Sequence, residues 1–348
     1  MRVLIVTTQV PFIRGGAEIH AEELVKALNT EGHEAEIVAI PFKWYPPERI
    51  LEHMLACRLL DLTESCGQVV DRIIGMKFPA YLIPHPQKVM WLLHQYRSAY
   101  DLWGTHYGDL INAANGLQIR EAIVNADNKA FSECISIFAN SQNVAKRLKY
   151  FNHIESIPLY HPPRNAETFY CENTEDYLFF PSRLWSIKRQ ELVIKALAET
   201  TNPVRILFAG KADNNEYNEY LKKLAKKLGV TKKAVFLGEI SEKEKIITYA
   251  RSLGVVYPPF DEDYGYVTLE AMLSSKPVVT CTDSGGSLEF VRHEETGLIA
   301  EPNPKSFAAA MDQLWENRSW AQALGKAGKE YYDSLNISWS TVVQKLIS

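Results

Sequence analysis

The sequence predicts an α/β protein built from two doubly wound domains, each a parallel sheet wrapped by helices, and three observations lead there. The chain has 348 residues, more than one hydrophobic core usually serves, so two cores are expected. Short apolar runs alternate with longer stretches of helical periodicity, and strands separated by helices pair in parallel through right-handed crossovers. That rhythm stops at a cluster of prolines near the middle of the chain and then restarts. In two such domains facing one another, ligands sit at the carboxyl ends of the strands, which makes the interdomain cleft the expected site.

The first strand spans Arg2 to Thr8, followed by a loop through Pro11 and Gly15-Gly16 and a helix to about Glu31 that Gly32 closes. In that helix Ile19, Leu24, Val25 and Leu28 recur at helical spacing, with Glu18, Glu22, Glu23 and Lys26 on the other face. Further strands are expected over Ala35 to Ile40, Ile73 to Lys77, Lys88 to Leu92 and Ile135 to Asn140, with Ser141 capping a helix to Tyr150. Pro158, Pro162 and Pro163 interrupt any regular pattern, which places a linker around Pro158 to Arg164 and on into the polar stretch to Asp176. The expected division is residues 1–163, 164–337 and a closing segment 338–348.

After the linker come a strand over Tyr177 to Pro181, a helix from Lys188, a strand over Val204 to Ala209, a helix to Leu228, and a strand over Ala234 to Leu237. Ser241 and Glu244 have the spacing of a capping box for a helix to Arg251. Strands over Gly254 to Tyr257 and Pro277 to Thr280 then flank a helix over Thr268 to Ser274. Two more helices and a tail complete the chain.

Bulk properties narrow the function. A formal charge of -4 argues against a dominant nucleic-acid role, which needs a basic surface. Five scattered cysteines, Cys57, Cys66, Cys134, Cys171 and Cys281, include no CxxC pair, so neither a disulfide framework nor a zinc site is signalled and a reducing cytoplasm fits. No apolar run reaches membrane-spanning length, so the protein is expected to be soluble or attached to a membrane face.

Chemistry concentrates in two late segments. In Asp261-Glu262-Asp263-Tyr264-Gly265-Tyr266-Val267-Thr268-Leu269-Glu270, two glutamates are separated by seven residues between a strand and a helix. Glu262 is expected in the loop and Glu270 in the first helical turn, with Gly265 allowing close backbone approach and the free N–H groups of Tyr266, Val267 and Thr268 able to hold a diphosphate. In Pro181-Ser182-Arg183-Leu184-Trp185-Ser186-Ile187-Lys188-Arg189, Arg183 and Lys188 stand five apart at a strand end, where two cations would stabilise a departing diphosphate. Each feature also has a plain structural reading: acids at a helix start favour its dipole, and a basic pair there is often solvated surface.

With its aromatic-Gly step and closing Leu269-Glu270-Ala271-Met272, the first of these segments resembles the E-x7-E motif of family 4 retaining glycosyltransferases, the glycosyl transferases group 1. The resemblance implies the GT-B fold, two Rossmann-like doubly wound parallel-sheet domains facing across a cleft, the first on the acceptor side and the second on the donor side. It implies that Glu262 contacts donor-sugar hydroxyls, that Glu270 contacts the ribose, and that Arg183 and Lys188 hold the diphosphate. Gly16 after the first strand is implied at the β-phosphate, and His94, in Trp91-Leu92-Leu93-His94-Gln95-Tyr96, near the reacting carbon of the sugar. Gly210, Lys211, Glu239 and Ile240 are implied to line the nucleotide pocket together with Tyr264 and Gly265. Asp283-Ser284-Gly285-Gly286 resembles a turn of the family and serves as a fold marker, and the closing helix commonly crosses back to the first domain.

Two departures matter. Ser182 and Arg189 stand where the family often has glycine, which leaves the backbone path around the cations unassigned. Asp261-Glu262-Asp263 spells the acidic D-x-D pattern of metal-dependent single-domain enzymes, but its late position in a second Rossmann-like repeat, with two cations at hand, argues for transfer without metal or other cofactor. The expectation is therefore a retaining transferase using a UDP- or GDP-linked sugar and a hydroxyl-bearing sugar or lipid-linked acceptor, in polysaccharide, glycolipid or glycoconjugate synthesis. A GT-B epimerase, a phosphorylase and a catalytically silent nucleotide-sugar binder remain as alternatives. Lys43 to Pro47 with Arg49, Arg58 and Arg72 has two readings, a solvated surface or a peripheral membrane contact.

Overall fold

In a computed structural model, the chain divides into two units, Met1–Arg164 with Ser338–Ser348, and Asn165–Ile337. The structure describes residues 1–212 and 215–348.

The first unit runs β1 (Arg2–Gln9), α1 (Gly16–Thr30), β2 (Glu34–Pro41), α2 (Glu48–Leu59), a small hairpin of β3 (Glu64–Ser65) and β4 (Gln68–Val69), β5 (Arg72–Lys77), β6 (Lys88–His94), α3 (Gly116–Ser132), β7 (Ser136–Ala139), α4 (Gln142–Asn152) and β8 (Ile157–Pro158). Six of these strands form one parallel sheet in the order β2-β1-β5-β6-β7-β8. The order reverses direction between β1 and β5, which puts the loops after those strands at a topological switch point. Ile73, Ile74, Met76, Val89, Met90, Trp91 and Leu92 are all buried, as helices on both faces of a parallel sheet require.

The second unit runs β9 (Leu178–Pro181), α5 (Gln190–Glu199), β10 (Ile206–Ala209), α6 (Asn215–Lys227), β11 (Ala234–Gly238), α7 (Glu242–Arg251), β12 (Gly254–Val256), α8 (Tyr266–Leu273), β13 (Val278–Cys281), β14 (Gly297–Ala300), α9 (Pro304–Glu316) and α10 (Arg318–Ser334). Its parallel sheet has the order β11-β10-β9-β12-β13-β14. This is the dinucleotide-binding strand order, with the switch point between β9 and β12.

The last helix, α11 (Trp339–Ile347), belongs to the first unit. Ser338 caps it by accepting from the Thr341 N–H, and Val342, Val343 and Leu346 bury against Ala21, Leu24 and Leu28 of α1. Arg72 closes its other end, donating to the carbonyls of Leu346 at 2.8 Å and Ser348 at 3.1 Å. Arg72 is therefore a buried cap, and Arg58 grips Glu133 at 2.7 and 2.9 Å, so neither offers the free surface cation of the membrane-contact reading. Among the described residues no helix is long and apolar enough to cross a membrane.

Three local expectations change. The proline-marked stretch after Ile157 is not all linker: Pro158 pairs in β8, Leu159 is buried, and His161 stacks on His20 at 3.7 Å between Trp91 and Trp339. Helices α2 and α3 fill stretches for which no element was expected; α2 shows Leu51, Leu55 and Leu59 to solvent, which blurs the contrast between its faces. Helix α5 starts at Gln190 rather than Lys188, which lies in a 3-10 turn over Ser186–Lys188.

Candidate active site

The switch point of the second sheet sets the two chemical segments side by side. Strand β9 leads into Arg183 and Lys188, and its neighbour β12 leads into Tyr257 and Glu262. Lys188 forms an ion pair with Glu262 Oε2. The Tyr257 hydroxyl bridges the same two groups, donating to Glu262 Oε2 at 2.8 Å and accepting from Lys188 Nζ at 3.1 Å. Burial, followed by the Glu262 charge, holds the Tyr257 phenol well above its ordinary value, so the proton stays on its oxygen.

Arg189 explains one departure from the family pattern. Its φ of 59° lies in the left-handed region that glycine occupies without cost. A bidentate pair with Asp283 at 2.7 and 2.6 Å, with the guanidinium 5.1 Å from the Phe260 ring centre, holds an arginine there instead. That pair ties the Lys188 turn to the loop after β13, and the same loop supports Glu262. Asp261 N–H donates to Asp283 O and Glu262 N–H to Ser284 O, while Gly286 N–H donates to Glu262 O at 2.7 Å. A side chain at Gly286 would meet Asp263 O at 2.5 Å, so the Gly285-Gly286 turn exists to let these two loops touch.

On the other flank, Leu184 N–H donates to Lys211 O at 3.0 Å and Gly210 N–H to Gly238 O at 2.8 Å. Gly210 has φ +148°, and a Cβ there would lie 2.2 Å from Ser182 O. The turns after β9, β10 and β11, carrying Arg183, Gly210-Lys211 and Glu239-Ile240, are thereby brought to one edge of the sheet. Arg183 lies with its guanidinium 5.6 Å from the Trp185 ring centre, and its carbonyl accepts from Gln190 Nε2 at 2.9 Å.

Gly265, left-handed at φ +83°, starts α8, and Tyr264 packs buried against Phe290. The N–H groups of Tyr266, Val267 and Thr268 open this helix; that of Thr268 donates back to Gly265 O. Because α8 begins at Tyr266, Glu270 falls in its second turn, not its first. There Lys245 Nζ bonds Glu270 Oε1 at 2.8 Å and the Tyr249 hydroxyl donates to Oε2 at 2.8 Å. Each acid of the E-x7-E segment is thus bonded by a lysine and a buried tyrosine of its own, Glu262 by Lys188 and Tyr257, Glu270 by Lys245 and Tyr249.

In the first unit, Gly16 is the first residue of α1, and Glu18 Oε2 folds back to accept from the Gly15 N–H at 2.7 Å. Lys77, at the end of β5, lies 3.7 Å from Glu18 Oε1. His94 ends β6 half-buried, with Nδ1 2.6 Å from the Gln95 carbonyl; that oxygen only accepts, so Nδ1 carries the proton.

Sequence reasoning missed Tyr257, Lys245, Tyr249 and the Arg189–Asp283 pair. Tyr257 ends an apolar strand and reads as core, whereas Lys245 and Tyr249 share a face of α7 at i, i+4 spacing and acquire meaning only once α8 packs beside them.

Two doubly wound units, the second with its cation and acid gathered at a switch point, define a GT-B protein. A profile of the glycosyl transferases group 1 matches residues 169–331. Over 226 residues the chain is 30% identical to alpha-1,3/1,6-mannosyltransferase ALG2 of Homo sapiens, a match covering 57% of this chain and 53% of that protein. The chain spans about half the length of the curated relatives it matches. Among solved structures, sucrose-phosphate synthase (tll1590) from Thermosynechococcus elongatus has a TM-score of 0.78 at 16% identity, over 99% of this chain and 97% of that one. Anabaena Alr3699/HepE in complex with UDP and glucose has a TM-score of 0.71 at 18% identity, over 100% and 98%.

Proposed function

We propose that this chain is a retaining, metal-independent glycosyltransferase that moves a hexosyl group from a UDP- or GDP-linked donor to a hydroxyl of a sugar or lipid-linked acceptor. The observation that carries the reading is the meeting of Lys188 and Glu262 at the switch point, with Glu270 on the helix that follows. A lysine beside a carboxylate supplies a cation for the diphosphate and an acceptor for sugar hydroxyls within one site. The HepE structure holds UDP and glucose and ALG2 is named a mannosyltransferase, which supports a hexosyl donor.

In the proposed reaction the bond from the anomeric carbon to the phosphate oxygen breaks and a bond to the acceptor oxygen forms on the same face. The acceptor proton passes to the departing phosphate oxygen, so no enzymic nucleophile is required. Charge builds on the diphosphate as it leaves, where Arg183, Lys188 and the N–H groups opening α8 would stabilise it. Glu262, committed to Lys188 and Tyr257, is suited to hold hydroxyls rather than to attack carbon. The first-unit residues Gly16 and His94 keep the roles the resemblance gives them, contact with the β-phosphate and positioning of the sugar. Metal independence rests on the two cations doing the neutralising, and the five free thiols suit a cytoplasmic setting.

A thermal-shift panel of UDP- and GDP-hexoses tests the reading, because a ligand bound only by the folded state raises the apparent midpoint. At least one is expected to stabilise the protein, undiminished by EDTA, and to yield free nucleotide and glycosylated product with an acceptor extract. Stabilisation without turnover would favour the silent binder; no response to any member of the panel would refute the donor assignment.

A further inference from the structure

The outward face of α6 and the turn that follows it carry a concentration of charge that the proposed transfer does not use. From Leu221 to Gly238 the sequence holds six lysines, Lys222, Lys223, Lys226, Lys227, Lys232 and Lys233, and neither an acid nor an arginine. The chain's net charge of -4 includes these six, so the rest of it carries -10. Leu221 and Ala225 are buried, which turns Lys222, Lys223, Lys226 and Lys227 outward; all four are exposed, as is Lys232. Lys222 pairs with Glu219 at 3.0 Å. Lys233 turns inward and donates to Thr200 Oγ1 at 2.7 Å and to the Asn202 carbonyl at 3.1 Å. Among the described residues, Lys223, Lys226, Lys227 and Lys232 take part in no ion pair.

Building a helix does not account for this patch. Cations in the last turn complement the helix dipole, which covers Lys226 and Lys227. Lys222 and Lys223 stand one turn earlier, each four residues from one of those two, and like charges at that spacing disfavour a helix. Lys232 lies beyond the helix altogether.

Its place in the fold separates it from the candidate site. Helix α6 joins β10 to β11 in a parallel sheet, so its last turns and Lys232 stand toward the amino ends of those strands, whereas Arg183, Lys188 and Glu262 follow the carboxyl ends. We infer that this face of the second unit docks on an anionic lipid bilayer, held by charge at the headgroups and not by insertion of a helix. Lysine chemistry favours that occupant over a nucleic acid. An ammonium is a strongly hydrated point charge, suited to the diffuse field of a lipid surface, while nucleic-acid sites draw on arginine and on exposed stacking aromatics. The stretch has no arginine, and its one aromatic, Phe236, is stacked on Phe208 within the sheet. Each lysine brought near such a surface strengthens binding by about fivefold.

The test is co-sedimentation of the full chain with vesicles of equal parts phosphatidylcholine and phosphatidylglycerol, and with phosphatidylcholine alone. Wild type is expected to bind the mixed vesicles at least about 100-fold more tightly. It is expected to leave them as salt rises from about 0.1 to 1 M, which shortens the screening length from about 10 Å to 3 Å. The combined variant Lys222→Gln, Lys223→Gln, Lys226→Gln, Lys227→Gln keeps good helix formers and is expected to bind the mixed vesicles about 100-fold more weakly or worse. The matching Lys222→Arg, Lys223→Arg, Lys226→Arg, Lys227→Arg variant should bind as wild type does. Both should keep the circular dichroism spectrum and any nucleotide-induced rise in melting midpoint, because the patch lies away from the candidate site; the nucleotide panel tests the donor reading separately. Equal binding of wild type to both vesicle types, or to neither, would overturn the inference. So would a glutamine variant that binds like wild type, or tighter wild-type binding to polyuridylate than to the mixed vesicles. Loss of binding in Lys43→Gln with Arg49→Gln, but not in the glutamine variant of α6, would place the contact in the first unit and overturn it too.

Discussion

Asp127 in the first unit and Glu270 in the second are both buried carboxylates, yet they are held in opposite ways. Asp127 accepts from two phenols, Tyr81 at 3.0 Å and Tyr100 at 2.7 Å, and among the described residues no cation pairs with it. Burial pushes its carboxyl up from 3.8 to about 7, with the two phenols pulling the other way. Glu270 has one phenol and one ammonium, and Glu262 repeats that arrangement with Tyr257 and Lys188. A buried carboxyl held by phenols alone is pushed toward its protonated form and serves as a strut of the core. With an ammonium beside it, the charge is compensated and stays available for a ligand.

The comparison breaks most visibly at Lys188. Lys188→Ala removes the ammonium beside Glu262, and Glu262→Ala removes the acid. Each is expected to cut turnover by about 10²–10³-fold while the circular dichroism spectrum is unchanged, and near-normal rates in both would contradict the site. Asp127→Ala should do the reverse. It strands two buried phenols and lowers unfolding stability by about 2–4 kcal/mol in urea, with turnover per folded molecule kept.

A pH series sharpens the contrast further. Because the folded-state carboxyl of Asp127 is raised to about 7 from 3.8, its contribution is fully present below pH 3.8 and is lost as the pH rises through about 7. His20 acts in the opposite sense: burial lowers it from 6.5 to about 3, so its contribution is present above pH 6.5 and is lost as the pH falls toward 3. In urea midpoints measured from pH 4 to 7, Asp127→Asn should remove a decline with rising pH, and His20→Phe should remove a decline with falling pH. A slope unchanged by either variant would count against that group.

The smallest effect is expected at Arg189. Arg189→Gly loses the pair with Asp283 but relieves the left-handed backbone, leaving stability within about 1 kcal/mol of wild type. Arg189→Ala loses the pair and keeps the strain, so it should be the less stable of the two by about 1 kcal/mol. Equal denaturation midpoints would mean the backbone there is not strained.

Much of this was legible in the chain because it is local. The strand-helix rhythm, the capping pair Ser241 and Glu244, and the spacing of Glu262 and Glu270 are each written within a dozen residues. What was hidden is tertiary. Tyr257 meets Lys188 across 69 residues, Arg189 meets Asp283 across 94, and Asp127 meets Tyr81 across 46. Prolines misled at Pro158, since a two-residue edge strand tolerates proline where a longer one does not. Helix α8 defeated its own boundary: Val267 to Leu273 are all buried, so no polar face marks where it starts.

The most direct measurement is a crystal structure of the full chain soaked with the nucleotide that stabilises it best. Pyrophosphate oxygens within hydrogen-bond reach of Arg183, Lys188 and the N–H groups opening α8, with both ribose hydroxyls on Glu270, is the expected result. A nucleotide bound elsewhere on the chain, with the Lys188–Glu262 and Lys245–Glu270 pairs untouched, would contradict the account.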